Sequence, residues 1–387
     1  MSEDRETIVP VEYDDEGFPI GVEAEQPIPE EQIEEPFDPA KIDVITRPMT
    51  VGLMLARLRR GVLDLSPDFQ RLTGIWNETN QSKLIESLLL RVPLPTFYAA
   101  EAGEEAWVVV DGIQRLSAIA RFAAPELIDA GPLRLKGLEY LTQYEGRTYP
   151  ELPGALQTRI DETELIVHLI RSGTPEPVMY NIFARLNTGG RPLTPQELRH
   201  ALVPGPVRAL LRDLAGSDAF LGATQGTVKP TRMADREMVL RFLAFRVTDP
   251  DRYPVHGDID MFLRDSMRLI NRMTEVQIEA IRQEFFRAMD ASRDIFHEYA
   301  FRKHHGTSDE RYPVNKALFE AEAVNLVKMT DDEFKTLRSR RNRVEDGFIE
   351  LMGTRLFHES ISIATGQKWK VHYRFSAIER LLRGVAG

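Results

Sequence analysis

The chain has no cysteine in its 387 residues, which excludes disulfides, thiolate metal sites and thiol catalysis together. No apolar run approaches the ~18 residues a membrane-spanning helix needs. The N-terminus shows no basic stretch followed by an apolar core, so no secretory signal is read. A cytoplasmic location in a bacterial cell is the expectation. Several catalytic signatures are missing as well. There is no Gly-x-x-x-x-Gly-Lys-Ser/Thr phosphate loop, no Gly-x-Ser-x-Gly elbow and no His-Glu-x-x-His zinc helix. The 8 histidines are scattered, and their spacing assembles no metal site.

What remains is an ordinary soluble composition, 42% hydrophobic and 28% charged, in a chain long enough for two or three domains. The net charge of −11 is unevenly spread: residues 1–40 carry 14 acidic side chains against Arg5 alone, so the rest of the chain sits close to neutrality. That acidic segment is also proline-rich and reads as a disordered, solvated tail. Such a tail either competes with nucleic acid for a basic surface or is a plain extension.

The most informative stretch is Val108 to Ile119. A β-branched run reads as a buried strand, Asp111-Gly112 breaks it, and Gln114-Arg115 open an amphipathic helix with Leu116, Ile119 and Ala120 at helical spacing. Strand, tight turn and helix N-terminus form an anion site, because the first N–H groups of a helix lack partners and glycine lets the backbone approach. Arg115 adds a fork of donors suited to phosphate. The plainer alternative is a strand-to-helix turn whose aspartate caps the helix.

Two further blocks accompany it. Upstream stands Ser66-Pro67-Asp68-Phe69-Gln70-Arg71-Leu72-Thr73-Gly74-Ile75-Trp76, and downstream Phe183-Ala184-Arg185-Leu186-Asn187-Thr188-Gly189-Gly190-Arg191-Pro192-Leu193. Together the three blocks, spanning about Ile42 to Leu202, resemble the N-terminal domain of GmrSD-type, modification-dependent restriction systems, a family with a ParB/sulfiredoxin-like core. Its signature is YQR…W, then DGQQR, then F-x-R-L-N-x-G-G-x-x-L. Two positions depart from it: Ile113 replaces the first Gln, and Phe69 the Tyr. Both remove a hydrogen-bonding side chain from the implied site, which bears on nucleotide hydrolysis and on recognition of modified nucleic acid. Asp111, Gly112, Gln114 and Arg115 stand.

The resemblance implies an α+β chain: a small mixed-sheet domain over 41–205, with a ParB/sulfiredoxin-like core, then a mainly α-helical domain over 206–387. It implies a nucleotide-binding, NTP-hydrolysing regulatory component of a bacterial restriction or anti-phage defence system, with an NTP and Mg2+ as ligands and DNA, a nuclease or another defence protein as partner. The alternative is a non-enzymatic nucleic-acid-binding or adaptor protein on the same fold. If the blocks converge, Gly112 and Arg115 bind phosphate, and Gln114 binds phosphate, ribose or a base edge. Gln70 and Arg71 then approach from the preceding loop, and Asn187, Gly189 and Gly190 form the opposite wall. Trp76 is a stacking or a packing surface. Asp111 or Glu86 would hold a divalent metal or orient water, as the catalytic candidates.

Coarse elements follow from periodicity and caps. Strands are expected at 42–46, 96–100, 107–110 and 164–170, and helices at 50–60, 80–90 and 177–186. Thr194-Pro195-Gln196-Glu197 is a capping box opening a helix to about Leu202. Val203-Pro204-Gly205-Pro206 breaks the chain, and the domain boundary is placed there. Beyond it, helices are expected at 237–246, 276–301, 315–328 and 332–351. One basic cluster, Arg338, Arg340, Arg341 and Arg343, reads either as a phosphate-contacting patch or as a solvated face. Lys303-His304-His305 with Asn315 would be the place for a self-contained nuclease, but Asn315 reads better as a helix start.

Overall fold

The computed structural model describes residues 10–14, 17–25, 42–65, 76–101, 106–128, 131–175, 178–179, 182–183, 194–254, 258–306 and 312–387. The chain divides into two compact units, 35–204 and, together, 1–34 with 205–387. It begins with an antiparallel hairpin, β1 (Val11–Tyr13) and β2 (Pro19–Glu23). The hairpin belongs to the second unit.

The first unit is built on a mixed sheet. Its strands are β3 (Val44–Thr50), β4 (Leu63–Asp64), β5 (Phe97–Glu101), β6 (Trp107–Asp111) and β7 (Glu164–Ile170), in the order β3-β7-β5-β6-β4. The β3–β7 and β5–β6 pairs are antiparallel, while β7–β5 and β6–β4 are parallel. Helices α1 (Val51–Arg59), α2 (Glu78–Leu89), α3 (Ile113–Ala123) and α4 (Gly154–Glu162) lie between strands in the chain, β5 and β6 being consecutive, and α5 (Pro195–Leu202) closes the unit.

Caps explain where several of these helices begin. The Thr50 hydroxyl accepts from the Leu53 N–H, and Asn77 Oδ1 from the Asn80 N–H. The box at α5 is complete: Thr194 Oγ1 accepts from the Glu197 N–H at 3.1 Å and Glu197 Oε2 accepts from the Thr194 N–H at 2.7 Å.

The two faces of the sheet differ. On one, Phe97, Ala99, Val109, Leu165, Val167 and Leu169 are all buried. On the other, Ala100, Val110 and Ile170 are closed by Phe183 and Leu198, with Met179, Ile182 and Leu202 packed around them. Farther along that second face, Thr46, Pro48 and Ile166 are exposed and His168 is half-buried.

The second unit is helical: α6 (Pro206–Ala215), α7 (Asp218–Thr224), α8 (Ala234–Val247), α9 (Ile259–Ile270), α10 (Glu275–Phe296), α11 (Lys316–Val327), α12 (Asp331–Ser339), α13 (Arg341–Met352), α14 (Arg355–Ser362) and α15 (Lys368–Ala386). Helices α8 and α11 are buried nearly all round, as expected of central helices. Two expected spans stop short. The helix expected to reach residue 301 ends at Phe296, because His297 turns to φ +51°. The helix expected over 332–351 is two, broken at Arg340 (φ −109°, ψ +24°).

The acidic N-terminal segment is the larger correction. Its described part is no solvated run but the hairpin, whose carboxylates are paired inside the helical unit. Glu23 accepts from Lys303 Nζ at 2.6 Å and from Asn315 Nδ2 at 3.0 Å. Glu12 accepts from Lys316 Nζ at 2.7 Å, and Glu25 from Arg241 Nη2 at 3.2 Å and Thr365 Oγ1 at 2.8 Å. Arg241, 2% exposed, also reaches Glu237 at 3.0 Å and Glu320 at 3.4 Å, and Glu320 receives Arg374. Charges this deep persist only when paired and hydrogen-bonded. Ile20 and Val22 are buried beside them. Gly21 sits at φ +79°, where a Cβ would overlap the Thr227 carbonyl. The expectation for 1–9 and 26–40 falls outside the described residues.

Glu322 of α11 behaves differently from this network. It is fully buried, its Oε2 accepts only the Phe301 N–H at 2.9 Å, and its Oε1 has no partner. Burial pushes its pKa well above the ordinary 4.5, against the opposing pull of that one hydrogen bond. A carboxyl raised in the folded state binds more protons there than in the unfolded chain, so stability falls as pH rises above the unfolded value. Glu322→Gln, a neutral isostere, is expected to raise the melting temperature, with the gain over wild type growing from pH 5 to pH 8. Thermal melts across that range test it; a gain independent of pH would contradict a carboxyl held neutral.

Candidate functional site

The site forms where β6 runs into α3. Asp111 ends the strand and Gly112 turns the backbone at φ +93°, ψ +7° as the N-cap of α3. Only glycine fits there: the positive φ disfavours a side chain, and a Cβ would overlap the Phe97 ring. Gly112, as the N-cap residue, brings no side chain to cap α3. The aspartate-cap reading does not hold, since the Asp111 carboxylate is engaged elsewhere.

Asp111 turns instead to Arg115. Arg115 Nη2 donates to Asp111 Oδ2 at 2.8 Å and to the Thr96 carbonyl at 3.1 Å, and Nη1 donates to the Pro95 carbonyl. The guanidinium lies over the Phe97 ring, 4.6 Å from its centroid. Burial draws its pKa below the usual value, and the Asp111 carboxylate opposes that shift. Arg115 is thus a strut fastening α3 to the entry of β5, with most of its donors committed. Phe97, Pro95 and Thr96, none of them singled out by sequence, complete this joint.

Glu86 has a separate task. It is buried on α2, and its carboxylate accepts from the N–H groups of Glu139, Tyr140 and Leu141 at 3.0, 2.7 and 2.7 Å. Burial alone would raise its pKa, but these three donors hold it below the ordinary range. It anchors the 139–141 loop, and no catalytic role is assigned to it.

Gln114 and Trp76 do come together. Gln114 Oε1 accepts from the Trp76 N–H at 3.4 Å, and the Trp76 carbonyl accepts from Gln81 Nε2 at 2.5 Å. Arg121 Nη1 then donates to Gln81 Oε1 at 3.1 Å. The structure therefore gathers Asp111, Gly112, Gln114, Arg115 and Trp76 about the start of α3. Gln70, Arg71, Asn187, Gly189 and Gly190 lie outside the described residues, as does most of the helix expected at 177–186.

Three further polar residues near Asp111, namely Thr46, His168 and Tyr98, were not singled out from sequence. Register places Thr46, His168, Tyr98 and Asp111 side by side across four strands. Thr46 Oγ1 and His168 Nδ1 are 3.1 Å apart, and the Tyr98 and His168 rings lie 5.0 Å apart at 35°. On α5, Gln196 and Arg199 are buried and joined, Arg199 Nε donating to Gln196 Oε1 at 3.0 Å. Gln196 Nε2 is left without a partner. The signal for His168 was present: one imidazole in the strand Glu-Leu-Ile-Val-His-Leu-Ile.

The residues that suggested a nuclease do other work. Asn315 caps α11 through its Oδ1 and grips Glu23 and the Ile361 carbonyl through Nδ2. His304 stacks on Tyr299 at 3.6 Å and meets Glu345 at 3.1 Å. Among the described residues, no group of three or more His, Asp or Glu side chains could hold a metal ion. In the basic cluster, Arg338 faces Asp294 at 3.7 Å, Arg340 donates to the Val385 carbonyl at 2.9 Å and Arg341 meets His297 at 2.9 Å. None of the described helices is long and apolar enough to cross a membrane.

Compared with known proteins, residues 53–204 match the family described as GmrSD restriction endonuclease, N-terminal domain. No curated protein and no solved structure matches. The matched span holds the whole β6–α3 joint and α5.

The strut makes a specific claim about stability. Arg115→Ala leaves the Asp111 carboxylate and two carbonyls without their donor, which is expected to cost about 1–3 kcal/mol. Arg115→Lys is expected to recover only part of this, since an ammonium cannot span three acceptors and lie flat on Phe97. Chemical denaturation of the three proteins checks both; equal stability would show that the guanidinium is free for a ligand.

Proposed function

From the match of residues 53–204 to the GmrSD restriction endonuclease N-terminal domain family, we propose that the chain is a nucleotide-binding regulatory component of a restriction or defence system. The observation that carries this reading is the start of α3. A strand ends in Asp111, Gly112 opens the backbone at positive φ, and the helix begins at this residue, which has no side chain to cap it. Backbone N–H groups at such a terminus hold phosphate oxygens, aided by the helix dipole. The phosphate donors in this reading are the main-chain amides, with Arg115 fixing their geometry from behind.

Magnesium fits the same place in a limited way. Asp111 is half-exposed, and one of its oxygens is engaged by Arg115. One carboxylate is too little for a protein-built cage, and it suits an ion carried in by the nucleotide's own phosphates. Asp111 would then face the bound ion or orient water, while Gln114 lies at the edge of the same turn. Binding of DNA and of a partner nuclease belongs to the same proposal and rests on the family.

A second reading, binding without turnover, is favoured by one residue. Ile113, at the first position of α3, is 4% exposed and brings no polar group to the phosphates. Titration of the full chain with each NTP, with and without magnesium, together with phosphate release, separates the readings. Wild type is expected to bind, and Asp111→Asn to retain binding within about threefold while losing any release. Binding without release in wild type supports the second reading. No binding of any NTP would overturn both and favour a nucleic-acid-binding or adaptor protein.

A further inference from the structure

On the second face of the sheet, packing changes abruptly within one strand repeat. The row Ile170 and Ala100 is closed under Phe183 and Leu198. Two residues farther along β3, β7 and β5, the row becomes Thr46, His168 and Tyr98, and Tyr98 pairs in register with Asp111 at the end of β6. Strands β5 and β7 are interior strands, where side chains are ordinarily covered on both faces, yet Tyr98 and His168 are only half-buried. Cross-strand ring pairs do stabilise sheets, but that role is best served by closed packing, which among the described residues stops one row short.

The register also shifts at this point. Tyr98 pairs with Asp111 while Ala99 pairs with Val109, so Val110 is an extra residue in β6. A bulge of this kind bends the strand and re-aims the neighbouring side chains. It sets Tyr98 directly beside the strand end that feeds the α3 turn. Nδ1 of His168 is taken by Thr46, which leaves Nε2 as the remaining polar atom of the ring. Tyr98 brings a ring face and a hydroxyl.

We propose that Tyr98 and His168 form the base-binding floor of the nucleotide site whose phosphates sit at the start of α3. The inference rests on the nucleotide-binding reading above and adds to it the place and chemistry of base recognition. Asp111 and His168 are separated by two strand spacings, roughly 9–10 Å. A ribose laid over Tyr98 would span that gap from phosphate to base. Stacking on aromatic faces is tolerant of base identity. Nε2 of His168 and the Tyr98 hydroxyl supply the donors and acceptors that could discriminate among bases. Thr46, through Nδ1, is a positioning residue that fixes the imidazole plane.

The test uses the full chain and two probes, an NTP and inorganic tripolyphosphate, which carries the phosphates without a base. Tyr98→Ala and His168→Ala are expected to weaken NTP binding at least tenfold and to leave tripolyphosphate binding within twofold. Tyr98→Trp keeps a ring in place and reports on it: its fluorescence is expected to be quenched by NTP and not by tripolyphosphate. Equal loss of both probes in the alanine variants, or no quenching in the tryptophan variant, overturns the proposal while nucleotide binding stands. Unchanged NTP binding with weakened binding of a single-stranded oligodeoxynucleotide also overturns it and assigns the floor to a nucleic-acid base. Wild type that binds neither NTP nor tripolyphosphate removes the nucleotide-binding reading itself, and the floor with it.

Discussion

The contact between Gly112 and Phe97 is the constraint on which the sheet domain's site depends. The ring lies so close to the turn that no side chain fits, and the left-handed backbone it permits is what lets α3 start directly from the end of β6. From that start follow the position of Gln114 beside Trp76 and the reach of Arg115 back to Pro95 and Thr96. Arg115 then covers the ring from the other side. One aromatic side chain thus locks strand, turn and helix into a unit. The main-chain amides gain their fixed direction from packing rather than from a ligand, which is the preorganisation an anion site requires.

The helical unit is held by a different means. Its centre contains Arg241, Arg374, Lys316 and Lys303, and the hairpin delivers Glu12, Glu23 and Glu25 to three of them. Removing such charges from water is costly, and near-complete pairing offsets rather than exceeds that cost. What the arrangement gains is selectivity. A hairpin shifted by one residue would turn its carboxylates away from the cations and leave both buried and unpaired. Glu322 marks the limit of the scheme, since among the described residues no cation pairs with it and burial pushes its pKa up.

The α+β class and four of the five strands of the sheet were legible because local patterns carried them, while β4 was not. Glu164–Ile170 shows β-branched residues at the expected bounds, and Thr194 and Glu197 form the box their spacing implies. The family resemblance was readable from three short motifs. Other features depended on contacts remote in sequence. Counting charge near the N-terminus could not show that Glu23 meets Lys303, 280 residues away. An arginine beside a turn suggests phosphate until the carbonyls of Pro95 and Thr96 are seen beneath it. Glu86 looked available for chemistry because nothing in its helix shows that three amides of the 139–141 loop converge on it. The end of α10 at His297 and the break at Arg340 involve neither glycine nor proline, so no local signal announced them.

Ile113 gains a physical meaning from the same geometry. It occupies the first position of α3, where the side chain points into the core and the N–H remains at the helix end. Replacing a polar residue with isoleucine there removes one side-chain contact and strengthens the packing of the turn, while every main-chain donor is kept. Anion binding through amides is indifferent to that exchange, whereas chemistry that needs a polar group beside the phosphates is not. In the proposed nucleotide site, affinity and turnover would therefore be separable at this position: the backbone would carry one, and the side chains of Asp111 and Gln114 would be left to carry the other.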